Sequence, residues 1–140
     1  MDGSPKMKRS TNSLIKGIEH IAIASPNPPR LAKWYIEHLN LELILDSGNT
    51  IYVKSADSVV LEFIKADNEL LRPQTRDAGL RHIAFAVDDL ESARATLQSA
   101  GVTFESKPVG LPGMRLHFFR DLEGNLLHLI EREEKLRGTL

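Results

Sequence analysis

The chain has 140 residues, 26% of them charged and 41% hydrophobic, with a net charge of −1 and no cysteine. That length makes one compact domain or two closely packed half-domains, enough to bury a core without a covalent staple. The charge balance gives no footprint for nucleic acid or an anionic membrane surface, and no apolar run approaches a membrane span. The missing thiols exclude disulfides, thiolate metal sites and a cysteine nucleophile.

In chain order, residues 1–16 are predicted as a disordered tail. Lys6, Lys8 and Arg9 are not followed by the apolar run of a signal peptide, which suggests a cytoplasmic location. A strand is expected over Gly17–Ala24. Asn27, Pro28 and Pro29 then start a helix, whose apolar positions include Leu31, Trp34, Tyr35 and Leu39. Strands follow at Leu41–Leu45, Thr50–Lys54 and Val59–Lys65, with turn chemistry at Ser47-Gly48-Asn49 and Ala56-Asp57-Ser58. The polar residues 66–79 are a linker. The second half repeats the order. It has a strand at Leu80–Val87, a capping box at Asp88–Glu91, and a helix with Leu90, Ala93, Leu97 and Ala100 on one face. Gly101 stops that helix. Strands at Val102–Ser106, Met114–Arg120 and Leu126–Arg132 complete it, and residues 133–140 form a polar tail. The segment 107–113, rich in Gly and Pro, reads either as a lid or as a plain loop.

The two opening strands are near copies: Ile18-Glu19-His20-Ile21-Ala22-Ile23-Ala24 and Leu80-Arg81-His82-Ile83-Ala84-Phe85-Ala86. A repeat of this kind means two similar supersecondary units. Side chains alternate along a strand, so each His shares its face with two alanines, while the large apolar residues take the other face. Glu62 and His128 likewise interrupt apolar strands. A histidine in a strand is usually a hydrogen-bonded core or surface residue, and Glu62 can face solvent from a one-sided sheet. Four ligand-type side chains at matched places in two repeats instead suggest a shared metal site at His20, Glu62, His82 and His128.

Those residues, with Trp34-Tyr35 ahead of Leu39-Asn40-Leu41, Leu61-Glu62-Phe63 and the turn Phe118-Phe119-Arg120-Asp121-Leu122-Glu123-Gly124-Asn125, give a sequence that resembles the vicinal oxygen chelate superfamily over residues 17–132. That superfamily includes glyoxalase I, methylmalonyl-CoA epimerase, extradiol dioxygenases, fosfomycin-resistance enzymes and bleomycin-binding proteins. Its turn motif is close to F-x-R-D-P-D-G-N, with Leu122 and Glu123 here in place of Pro and Asp. It often carries Gly where Asn40 stands. The resemblance implies an α+β fold of two tandem βαβββ modules, 17–65 and 80–132, in a cupped mixed sheet around a central cavity, often as a homodimer.

It further implies a divalent metal held by His20, Glu62, His82 and His128, with Ni, Co, Zn, Fe or Mn all compatible with such donors. His128 is a departure, because the isomerases usually have Glu there. Glu131, three residues on, points the other way. The implied activity is a glyoxalase-type lyase or isomerase. A small α-oxygenated substrate would chelate the metal, with Glu62 and His128 moving protons. Extradiol-type dioxygenation is one alternative, and metal-free binding of a drug or small molecule is another. Arg115, His117 and Phe119 share one face of their strand and can line the cavity, Arg115 meeting a substrate anion. Packing against solvent or a second subunit is the equal alternative. Nothing implies a membrane or nucleic-acid partner. One chain or two can supply the two halves of the site.

Overall fold

A computed structural model describes residues 14–68, 74–105 and 107–137. Most of the tail expected over 1–16, and the middle of the linker, lie outside these residues. The first module comprises β1 (His20–Ser25), α1 (Pro28–Leu39), β2 (Glu42–Asp46), β3 (Ile51–Lys54) and β4 (Val60–Lys65). The second comprises β5 (Ile83–Ala86), α2 (Leu90–Ser99), β6 (Val109–Leu111), β7 (Met114–Arg120) and β8 (Leu126–Arg132). Each module forms a four-stranded mixed sheet, ordered β1-β4-β3-β2 and β5-β8-β7-β6. In both, the opening strand runs parallel to the last and the rest is an antiparallel meander.

Local chemistry explains the helix ends. Asn27 caps α1 by accepting from the Arg30 amide at 3.2 Å, and prolines occupy the first turn, where no amide is needed. Asn40 closes α1 in the left-handed conformation at φ 58°, which accounts for the glycine often found there in the resembling family. The cap of α2 is Asp89, whose side chain accepts from Ser92 N at 3.2 Å, rather than the expected Asp88. Leu90 is fully buried as the first helical residue, so the cap must be the residue before it.

One strand is displaced from its expected place. The stretch Val102–Ser106 was expected to be a strand, yet Val102 is tucked under α2 by its amide bond to Leu97 O, and Phe104 makes only an isolated bridge to Phe119. The strand β6 lies instead inside the Gly- and Pro-rich segment. Leu111 pairs with Met114 around Pro112-Gly113, with Gly113 at φ 75°. Pro followed by Gly suits a tight turn that needs positive φ at its second residue. Part of that segment is therefore sheet.

The core lies between the helices and one face of each sheet. Leu31, Tyr35, Val53, Leu61 and Phe63 from the first module join Leu90, Leu97, Phe119, Leu127 and Leu129 from the second in a single cluster. Ile21, Ile23, Ile83 and Phe85 pack against it, while Ala22, Ala24, Ala84 and Ala86 are exposed on the opposite face, as alternation requires.

The turn Asp121–Asn125 ties the modules together. Asp121 accepts Tyr35 Oη at 2.6 Å across the module boundary, and also the amides of Glu123 and Asn125 and the Asn125 side chain. Ser25 Oγ donates to Glu123 at 2.6 Å beside it, while the other Glu123 carboxylate oxygen is buried without a partner. Burial first, then the Asp121 charge and hydrogen bond, raise the Tyr35 pKa well above its ordinary value.

Candidate metal and ligand site

In the first module His20 and Glu62 stand on adjacent parallel strands with Nε2 3.3 Å from Oε1. His20 Nδ1 lies 2.9 Å from Glu19. The second Glu62 oxygen accepts Tyr52 Oη at 2.6 Å, and the Tyr52 and His20 rings meet edge to face at 6.0 Å. The hydrogen bond to Glu62, more than burial or charge repulsion, raises the Tyr52 pKa and keeps the phenol a donor. Tyr52 was not singled out from sequence, although the signal was there. The turn is centred on Asp57, and Tyr52 and Glu62 lie five residues on either side of it.

The second module repeats the arrangement around Glu123, with Phe118 directly across from His128. The His82 and His128 rings are 4.5 Å apart, and Phe118 meets them edge to face at 5.5 and 5.0 Å. Burial, reinforced by repulsion from His82, lowers the His128 pKa from 6.5 to about 4, so its imidazole is neutral at neutral pH. Its Nδ1 is 3.2 Å from Leu129 O, which can only accept. The proton therefore sits on Nδ1, and Nε2 carries the free lone pair that a metal or a ligand proton needs.

Two pairs result rather than one set of four. Among the described residues no three His, Asp or Glu side chains come together in a way that could hold a metal. A zinc-type site takes at least three protein ligands, so neither pair suffices by itself. The donor chemistry suits a divalent cation, but a full set requires both pairs.

Arg115, His117 and Phe119 do share a face, and it is the face under α2, opposite His128. Arg115 pairs with Glu91, and His117 lies 3.2 Å from Arg94 and 2.7 Å from Glu105 O. Phe119 is fully buried beside Phe104. Phe118 and not Phe119 therefore neighbours the imidazoles. His82 and His128 border an open cavity of about 850 Å³ that is also lined by the end of α1, the β3–β4 turn and the segment 135–137.

The Glyoxalase/Bleomycin resistance protein/Dioxygenase superfamily model matches residues 17–129, and the chain belongs to that superfamily. It is 31% identical over 130 residues to the uncharacterized protein YwkD of Bacillus subtilis (strain 168), covering 85% of this chain and 99% of that one. The crystal structure of a glyoxalase family protein from Enterococcus faecalis is similar, with TM-score 0.71 and 29% identity over 85% of this chain and all of that one. TnmS3, an antibiotic binding protein from Streptomyces sp. CB03234, shares the fold with TM-score 0.68 at 20% identity, over 86% of this chain and 99% of that one. No helix among the described residues is long and apolar enough to cross a membrane.

Proposed function

We propose that two copies of this chain pair so that His20 and Glu62 of one face His82 and His128 of the other across a divalent metal. The observation that supports this is the equivalence of the two half-sites. Each presents one donor at or just before the start of its module's first strand and one from its last strand, and among the described residues neither is complete within one chain. Such a metal supplies polarisation of a carbonyl or of two neighbouring substrate oxygens. The chain's own residues do the rest. Glu62, held by Tyr52, would take a proton from the carbon beside the carbonyl, and His128 Nε2, whose single free lone pair serves either the ion or a proton, would carry a proton only when released from the ion. The reaction class is a glyoxalase-type lyase or isomerase acting on a small α-oxygenated substrate.

Binding without turnover is a second reading. It is favoured by the size of the cavity and by the fold shared with an antibiotic binding protein. Elemental analysis and sedimentation of the untagged full-length chain separate the two. About one Ni, Co, Zn, Fe or Mn per chain in a dimer, lost in His128→Ala, supports the metal centre. A chain that neither carries nor takes up any of these metals makes ligand binding, or a vestigial site, the leading reading.

A further inference from the structure

Arg132 lines the same cavity as the imidazoles, near enough for its charge to join burial and His82 in lowering the His128 pKa. On β8 the side chains of His128, Ile130 and Arg132 alternate onto one face, and all three line the cavity. Four residues along a strand put the Arg132 backbone about 13 Å from that of His128. Between these two residues the wall is apolar. Ala86 and Leu116 flank Ile130 on the neighbouring strands, and Met114 stands beside Arg132.

Two other cations line the cavity, and both are already paired. Lys135 Nζ lies 3.8 Å from Asp88, and Arg137 is bonded to Asp57. Asp57, which also lines the cavity, accepts from Ser55 as well, so its charge is matched. Among the described residues no carboxylate lies within 4.0 Å of the Arg132 guanidinium. Partly removed from water and set beside apolar side chains, this guanidinium is stabilised by an anion that reaches it.

We infer that the cavity takes a largely apolar anion whose charged end, a carboxylate or phosphate, is fixed by Arg132. The inference rests on the reading above in taking the His82–His128 face as a ligand site, but it does not need the metal.

The test is equilibrium dialysis of the full-length chain against n-octanoate and n-octanol, probes of equal length that differ in charge. Octanoate is expected to bind at least about tenfold more tightly than octanol, as one charge-assisted hydrogen bond implies. Arg132→Gln should weaken octanoate roughly tenfold to hundredfold and leave octanol unchanged. Arg132→Lys, which keeps the charge, should retain most of the preference and controls for folding. Equal binding of the two probes, binding of neither, or an unaltered octanoate affinity in Arg132→Gln overturns the inference. Metal content is measured on the same preparations before and after chelator treatment. Octanoate selectivity in a chain that never takes up metal sinks the metal centre and leaves this anchor standing. A metal-loaded chain without that selectivity does the reverse.

Discussion

The Tyr52 hydroxyl donates to Glu62 at 2.6 Å, while Phe118, at the equivalent place in the second module, has no hydroxyl and lies edge-on to His128 at 5.0 Å. The carboxylate and its donor occur together in one module, and the imidazole and its apolar neighbour occur together in the other. A ladder neighbour directly opposite is the side chain best placed to orient a strand residue, so the departure at His128 is matched by its partner rather than isolated.

Tyr52→Phe should leave the fold intact and weaken metal binding. Residues that hold a ligand in place change metal affinity by roughly tenfold to hundredfold, so a competition titration against a chromogenic chelator should detect the loss. Unchanged affinity would mean that Glu62 is held well enough by its other contacts, or is not a ligand.

Tyr35→Phe should destabilise the chain by about 1–3 kcal/mol, because it leaves a buried carboxylate oxygen of Asp121 short of one donor. Urea unfolding at neutral pH reads this directly. The same group sets an alkaline limit. Its folded pKa lies above the unfolded value of 10.0, so its contribution is complete below pH 10 and is lost as the pH rises through the folded pKa. Urea midpoints of the wild type should therefore fall above pH 10 more steeply than those of Tyr35→Phe.

Asn40→Gly should be neutral or slightly stabilising, and Asn40→Val should cost about 1–2 kcal/mol. The cause is the left-handed backbone at φ 58°, which a β-branched side chain tolerates poorly. Thermal denaturation of the two variants tests it, and equal melting temperatures would remove the cap from the account.

Arg115→Ala should change stability by less than about 1 kcal/mol, since its partner Glu91 is an exposed carboxylate that Arg94 also engages. It should leave metal content and octanoate binding unchanged, because Arg115 lies on the α2 side of its strand. A loss of either would place Arg115 in the site and give it the anion-binding role expected from sequence.

Much of the site was legible in local pattern. Alternation placed His20 and His82 with their alanines on the open face, and the turn centres at Asp57 and Glu123 already imply that Tyr52 opposes Glu62 and Phe118 opposes His128. Periodicity did not locate β6. A three-residue strand closed by Pro-Gly carries little alternation, and Val102 had a competing use under α2. The face of Arg115, His117 and Phe119 was correctly grouped, but strand parity does not say which of two faces a helix covers.

The sequence by itself determined the duplicated βαβββ order, the helix cap at Asn27, and which residues share a strand face. All of these follow from interactions among near neighbours, through backbone sterics, hydrogen-bond chemistry and a period of two. Only the tertiary structure decided that the four donors form two pairs, that the Asp121 turn docks on Tyr35 and Ser25 of the other module, and that Arg132 shares a cavity with His82 and His128. Each of these depends on how two sheets and their helices settle around one core, where the summed burial of distant side chains outweighs any local preference.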